Sequence, residues 1–299
     1  MRILIAGGSG LVGRALSTRL ASSGHHHVRV VARRAGCSAG QVDACAVDVA
    51  NPSALAATLL GVDVACYLVH SLGAPRLLER ETRLATGFAA AAARAGVRRI
   101  VYLGGLLPSE GSPSTHLRAR AATGEALRSA GVPVIEFRAG VVLAPGSLVV
   151  EVLRQMLQLG PVLLLGPSCR LRCQPIGLEE TVSFLEAGLL RDLTGSAIID
   201  IGGPTILTWR DLILACARSA GLRRHAVTLP VNGPSWFWRW LGARAGLSGT
   251  VCGALFEDLE HDVVIRDPGA ARAFAVQHRP LDQILAACFA SARRSHPSS

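Results

Sequence analysis

Apolar residues fall in two rhythms along the first 145 positions of the chain. In one, nearly every residue of a short run is apolar: RILIA (2–6), HVRVVAR (27–33), ACAVDV (44–49), VDVACYLVHS (62–71), RRIVYLGG (98–105) and PVIEFRAG (133–140). Runs of this length and composition predict strands buried on both faces. In the other, apolar residues return every three or four positions, which predicts helices over 11–24, 52–62, 77–96 and 116–131. Strands alternating with helices give an α/β fold, and right-handed crossovers turn it into a doubly wound parallel sheet of Rossmann type. Past residue 145 the alternation weakens. Helices are expected over 147–160, 208–221, 234–246 and 281–292, with one further core strand inside 195–204. The predicted division is a core of residues 1–145 plus that strand, and a smaller lobe mainly within 146–299 that would bind substrate. The final RRSHPSS is expected to fray.

In such sheets ligands bind at the carboxyl ends of the strands. Those ends fall at Gly7, Arg33, Asp48, His70, Gly105 and Arg138 with Ala139. The first is followed by GGSGLVG, which spaces Gly7, Gly10 and Gly13 as G-x-x-G-x-x-G between a strand and a helix. The first glycine permits a tight turn, the second a close approach of backbone N–H groups to a pyrophosphate, and the third close helix–strand packing. Gly7, Ser9, Gly10, Leu11, Val12 and Gly13 are therefore the expected cradle. The second strand runs into Arg33 and Arg34, where an NAD-binding chain carries an acid for the ribose 2′-hydroxyl. A guanidinium there suits a 2′-phosphate and favours NADP; the competing reading is an ordinary surface arginine. Asp48 and Val49 end the third strand, placed to meet the adenine, or Asp48 to cap the next helix. Leu68 and Val69 are expected to line the cofactor with their backbone.

Composition narrows the chemistry. Half of the 299 residues are apolar and only 4% are aromatic, so the core is Leu, Val and Ala. All 31 basic residues are Arg, so no lysine ammonium is available as a base or for a Schiff base. The net charge of +10 is scattered rather than gathered on a helix interleaved with aromatics, which argues against nucleic-acid binding. Eight irregularly spaced Cys read as reduced thiols of a cytoplasmic protein; Cys169 and Cys173 do not make a zinc site, and no metal is expected. HHH at 25–27 reads as a solvated turn. No signal peptide is visible, and no apolar run reaches the ~18 residues of a spanning helix.

The stretches GGSGLVG, VDVACYLVHSLG, RRIVYLGGLLP, HLRARAATGEALRSAGVPVIEFRAG, QPIGLEET and DIGGPTILTWRDL resemble the atypical short-chain dehydrogenases/reductases, in particular an NmrA-like branch with YLVHS and YLGGL signatures. The resemblance spans roughly residues 1–220. It implies a Rossmann core, usually holding NADP, and a C-terminal substrate lobe. In ordinary members of that superfamily a Tyr donates a proton to the carbonyl oxygen, a Lys lowers its pKa, and a Ser or Thr holds the oxygen. Here His116 and Arg120 stand at the Tyr and Lys positions, and Gly104 with Gly105 at the Ser position.

His116 is thus the expected proton donor, with Arg120 one turn away on the same helix face to meet an oxyanion or the ribose. Set against this, His116 is a helix-start residue facing water. His70 is the second candidate acid, or a histidine shaping its loop. Trp236, Trp238 and Trp240, three of the four Trp, could wall an apolar pocket, lie on a membrane surface, or pack on the core; the first is favoured over the second. The expectation is an NADP(H)-dependent reductase of bacterial type, monomer or homodimer, acting on a carbonyl or activated double bond of an apolar small molecule. The alternatives are a redox-neutral cyclase, dehydratase or rearrangement enzyme with NADP as scaffold, and a non-catalytic NADP sensor.

Overall fold

A computed structural model describes residues 1–33, 42–192, 194–257 and 260–290. Arg34 and the 291–299 tail lie outside the described residues. The chain runs β1 (Arg2–Ala6), α1 (Leu11–Ser22), β2 (His27–Ala32), β3 (Val42–Ala46), α2 (Pro52–Leu59), β4 (Val64–Tyr67), α3 (Leu77–Arg94), β5 (Arg99–Gly105), α4 (Thr115–Arg128) and β6 (Val134–Ala139). It continues through β7 (Val142–Leu143), α5 (Leu148–Leu157), β8 (Val162–Leu165), a 3-10 turn (Pro167–Arg170), β9 (Arg172–Cys173), β10 (Ile176–Gly177), α6 (Leu178–Leu190), β11 (Ala197–Ile201), β12 (Leu207–Thr208) and α7 (Trp209–Ser219). Last come β13 (His225–Thr228), α8 (Ser235–Arg244), α9 (Gly249–Glu257), α10 (Pro268–Arg272) and α11 (Leu281–Phe289).

Seven parallel strands form the central sheet in the order β11-β6-β5-β4-β1-β2-β3. The order reverses at β1, so the β1 and β4 ends flank the crevice where such sheets bind ligands. Side chains alternate across each strand. Ile3 and Ile5 face Leu16, Leu20, Phe184 and Leu185 of α1 and α6. Leu4 and Ala6 face Leu55, Phe88 and Leu127 of α2, α3 and α4. The strands are apolar throughout because both faces are covered.

The stretch expected to lie in the lobe divides. α6 packs beneath the sheet, with Val182, Phe184, Leu185 and Leu189 in the same core as β1. The lobe itself is α5, α7, α8 and α11 around the parallel pair β8–β13, sharing a core that includes Val150, Leu153, Leu163, Leu212, Cys216 and Phe289. Among the described residues no helix is long and apolar enough to cross a membrane.

Candidate functional site

The cradle arises where β1 turns into α1. Gly7 has φ +86°, a left-handed conformation, and a Cβ there would sit 2.7 Å from the carbonyl carbon of Leu68. Only glycine meets both constraints. Its amide donates to Val31 O at 2.9 Å, which ties the turn to the end of β2. A Cβ on Gly13 would fall 2.6 Å from Gly8 Cα, so this glycine lets α1 close onto the turn. Gly10 is different: a Cβ there would meet only Gly7 O, at 3.3 Å. Gly10 is the N-cap of α1 and offers no side-chain cap, and the first turn holds no acid. The helix start thus presents amide donors and the positive end of its dipole with no carboxylate to compete with an anion. These residues fit a dinucleotide pyrophosphate.

Arg33 follows β2 directly and is exposed, two residues past Val31, whose carbonyl accepts the Gly7 amide. Asp48 is exposed; its Oδ1 accepts from Ala50 N at 2.9 Å, closing a local turn. The cap of α2 is Asn51, whose Oδ1 accepts from Ala54 N, so the cap reading of Asp48 is corrected by one turn. Val49 packs against the α2–α3 side of the core. Leu68 reaches the crevice, and Val69 accepts from Arg120 through its carbonyl at 3.5 Å.

From the cradle a cavity of about 690 Å³ runs along the strand ends into the lobe. Gly7, Ser9, Gly10, Leu11, Val12 and Gly13 line its near end. Its far end is apolar, including Val149, Leu153, Met156, Ile213 and Trp238. That size and lining suit a small ligand bound mostly through apolar contact. Trp238 is the one member of the Trp cluster that lines it, its Nε1 donating to Gly233 O at 3.1 Å. Trp236 and Trp240 stand outside, 67% and 44% exposed, which corrects their expected role in the wall. The reason is helical geometry: at about 100° per residue, positions 236 and 240 share a face and 238 opposes them.

Between the two ends lie His70, His116, Gly104, Gly105 and Arg120. Ser114 caps α4 by accepting from Leu117 N at 3.0 Å, which starts the helix beside the strand ends and sets His116 in its first turn. The His70 and His116 rings lie 5.1 Å apart. A Cβ on Gly105 would fall 2.8 Å from Leu117 Cδ2, so the Leu117 side chain of α4 packs directly against this glycine.

Arg120 does not hold an open guanidinium toward the cavity, as expected for an oxyanion contact. It is 8% exposed, donates to Leu103 O and Val69 O, and lies 3.6 Å from Oε2 of Glu81. It also stacks 4.8 Å above the Tyr102 ring, and its own carbonyl accepts the Tyr102 hydroxyl at 2.9 Å. Both tyrosines are fully buried, and burial raises their phenols far above the ordinary value, so neither serves as an acid.

Glu81 is the member the sequence reading missed. It is 2% exposed, on α3, and gathers the Ser71 amide at 2.5 Å, His70 Nδ1 at 3.2 Å and the Arg120 ion pair. Burial raises its pKa; the His70 bond and charge, Arg120 and the Ser71 amide outweigh that and hold the carboxyl below the usual range. Its signal was present in the chain. Leu77, Glu81, Leu84, Ala85 and Phe88 form one buried stripe of α3, so an acid stood at a core position. Buried carboxylates of this kind have partners, and the partner is at the site.

Residues 7–130 match the model of a family described as NAD(P)H-binding. No curated protein matches the chain in sequence. Among solved structures, the chain is similar to MoeE5 in complex with UDP-glucose and NAD: 19% identity, 99% of each chain covered, TM-score 0.74. It is similar to the UDP-glucose 4-epimerase of Thermus thermophilus in complex with NAD, at 16% identity over 99% of this chain and 100% of that one, TM-score 0.73. A nucleoside-diphosphate-sugar epimerase from Staphylococcus aureus aligns at 14% identity over 96% of this chain and 100% of that one, TM-score 0.77. At these identities the likeness is one of fold.

Proposed function

Starting from a chain whose residues 7–130 match the model of an NAD(P)H-binding family and whose fold is a doubly wound Rossmann-type sheet, we propose an NADP(H)-dependent reductase of apolar small molecules, of the atypical, NmrA-like short-chain dehydrogenase/reductase type. One observation carries this reading. A glycine cradle for a dinucleotide and an apolar cavity form a single space, and two imidazoles stand where they meet.

Gly7, Ser9, Gly10, Leu11, Val12 and Gly13 would hold the pyrophosphate, and Arg33 a 2′-phosphate; Leu68 would line the nicotinamide half. The bound nucleotide would supply hydride. The chain's own residues would handle the proton. Reduction of a carbonyl leaves an alkoxide that needs a donor, and His116 is placed on α4 to give it. Arg120 acts through its neighbours. By neutralising Glu81 and bonding the ends of β4 and β5, it fixes the frame on which both histidines sit.

MoeE5 was solved with UDP-glucose, a highly polar ligand. The far end of this cavity carries Val149, Leu153, Met156, Ile213 and Trp238 instead, which offer little to a sugar diphosphate. A carbonyl or activated double bond on an apolar skeleton fits that lining.

Two of the similar structures are epimerases, which favours a second reading: a redox-neutral reaction with the nucleotide retained. Following NADPH absorbance over a panel of apolar ketones, quinones and enones separates the two. Stoichiometric loss supports the reductase. Substrate conversion without net loss supports the redox-neutral reading. Tight NADP(H) binding with no conversion of any compound supports a sensor.

A further inference from the structure

His70 meets Glu81 through one edge of its ring. Nδ1 lies 3.2 Å from Oε1, the oxygen that also takes the Ser71 amide. Arg120 faces the other oxygen, and Thr123 Oγ1 lies 3.5 Å from it. A carboxyl set among so many donors is held as the carboxylate, which only accepts. The hydrogen of the His70–Glu81 contact therefore belongs to Nδ1, and in the neutral ring the lone pair is on Nε2.

We propose that Glu81 is a positioning residue that locks His70 in the Nδ1–H tautomer, so that Nε2 accepts a proton from a hydroxyl or an acidic C–H of an apolar molecule in the cavity. The site then holds two histidines with separate duties: His116 gives a proton and His70 takes one. In the step at His70 the substrate O–H or C–H bond breaks and its electron pair stays on the substrate. The proton forms an N–H bond at Nε2, and the imidazolium keeps its Nδ1–H bond to the Glu81 carboxylate, whose charge it shares with Arg120. The return step reverses this. That use rests on reading the cavity as a substrate site; the tautomer does not.

The surroundings keep the acceptor ready. His70 lines the cavity, and 30% of its side chain stays open. Desolvation, first, then the charges of Arg120 and His116 lower its pKa against the raising pull of Glu81, and the net direction is down. The charged and titratable groups around it are Glu81 on α3 and His116 and Arg120 on α4, with Arg80 reached through the Ser71 hydroxyl at 3.4 Å. Two cations this close repel, so rings 5.1 Å apart do not readily carry charge together.

The alternative is that Glu81 serves only to neutralise Arg120, in which case nothing constrains the His70 tautomer. The test is long-range 1H–15N correlation of the uniformly labelled full chain, free of nucleotide and substrate, at pH 5–8. His70 is assigned by the signals lost in His70→Phe. The expected result is a protonated Nδ1 and a bare Nε2 through the neutral range, with a titration midpoint below that of free histidine. In Glu81→Leu, which leaves Nδ1 without that acceptor, the tautomer preference should disappear and the midpoint fall further. An Nε2–H tautomer in the wild type overturns the proposal, as does a folded Glu81→Leu with an unchanged His70 pattern. Should Glu81→Leu not fold, the wild-type spectrum decides alone. A failed NADPH titration leaves this result untouched, so the two readings fail separately.

Discussion

His70, three residues past the end of β4, and His116, in the first turn of α4, lie ring against ring, centroids 5.1 Å apart and planes inclined by 41°. They come from elements 46 positions apart, brought together because α3 and α4 pack side by side on one face of the sheet. No tyrosine competes for the proton, since both are buried in strands.

On the reductase reading, His116→Phe should lower kcat on a true substrate by on the order of 100-fold, the usual cost of losing a general acid. NADPH affinity should stay within about twofold, because the cradle lies at the other end of the cavity. Steady-state kinetics beside a nucleotide titration checks both halves. Full activity in His116→Phe together with loss in His70→Phe would move the donor to β4.

The cradle glycines should separate into two kinds. Gly13→Ala puts a Cβ 2.6 Å from Gly8 Cα, against backbone that cannot swing away. Over-packing of this sort costs about 1–3 kcal/mol, so the variant should melt several degrees lower. Gly10→Val meets only Gly7 O, in an extended backbone conformation that Val tolerates. It should lose nucleotide binding while its melting temperature falls less than that of Gly13→Ala, by no more than the small cost of a poorer N-cap. Calorimetry and a binding titration on the pair are the check; tight binding by Gly10→Val would show that the pyrophosphate lies elsewhere.

Glu180 predicts an acid-sensitive tie between α6 and the approach to α11. It is 2% exposed and accepts from Arg279 through the backbone amide at 3.0 Å and through Nε at 2.9 Å. Burial raises its carboxyl, but the Arg279 bonds prevail and the net shift is downward. A folded pKa below the unfolded one contributes stability that is complete above the unfolded value of about 4.3. That stability is lost as pH falls through the folded value. Glu180→Gln should cost about 1.5–3 kcal/mol at pH 7, the range for bonds to a charged group. It should also flatten the fall in melting temperature below pH 4. Thermal melts of both proteins from pH 7 to pH 3 test it; parallel curves would mean the pair carries no linkage.

Much of the core could be read from the chain because buried parallel strands leave uninterrupted apolar runs. Runs over 2–6, 27–33, 98–105 and 133–140 became β1, β2, β5 and β6 nearly residue for residue. The lobe was harder. VLLL at 162–165 is apolar at every position, yet Val162 and Leu164 are exposed, so no alternation marked β8 as half-buried. α6 follows the lobe's first segments in the chain but crosses back under the sheet, a tertiary event with no local sign. His70 and His116 were singled out by position at strand and helix ends, and the fold brings the two rings together in the cavity. Arg120 was found by position too, but its duty was misread because the reading lacked Glu81. A contact between positions 81 and 120 depends on α3 lying beside α4, which spacing within either helix cannot reveal.

The account turns most directly on which nucleotide the chain holds. Titration of NADPH and NADH into the wild type and Arg33→Ala, followed by nucleotide fluorescence, measures it. NADPH should bind the wild type at least tenfold more tightly than NADH, the equivalent of about 1.4 kcal/mol. Arg33→Ala should remove most of that preference by weakening NADPH alone. Equal affinities in the wild type, unchanged by the substitution, would contradict the NADP assignment, and no binding of either nucleotide would contradict the reductase.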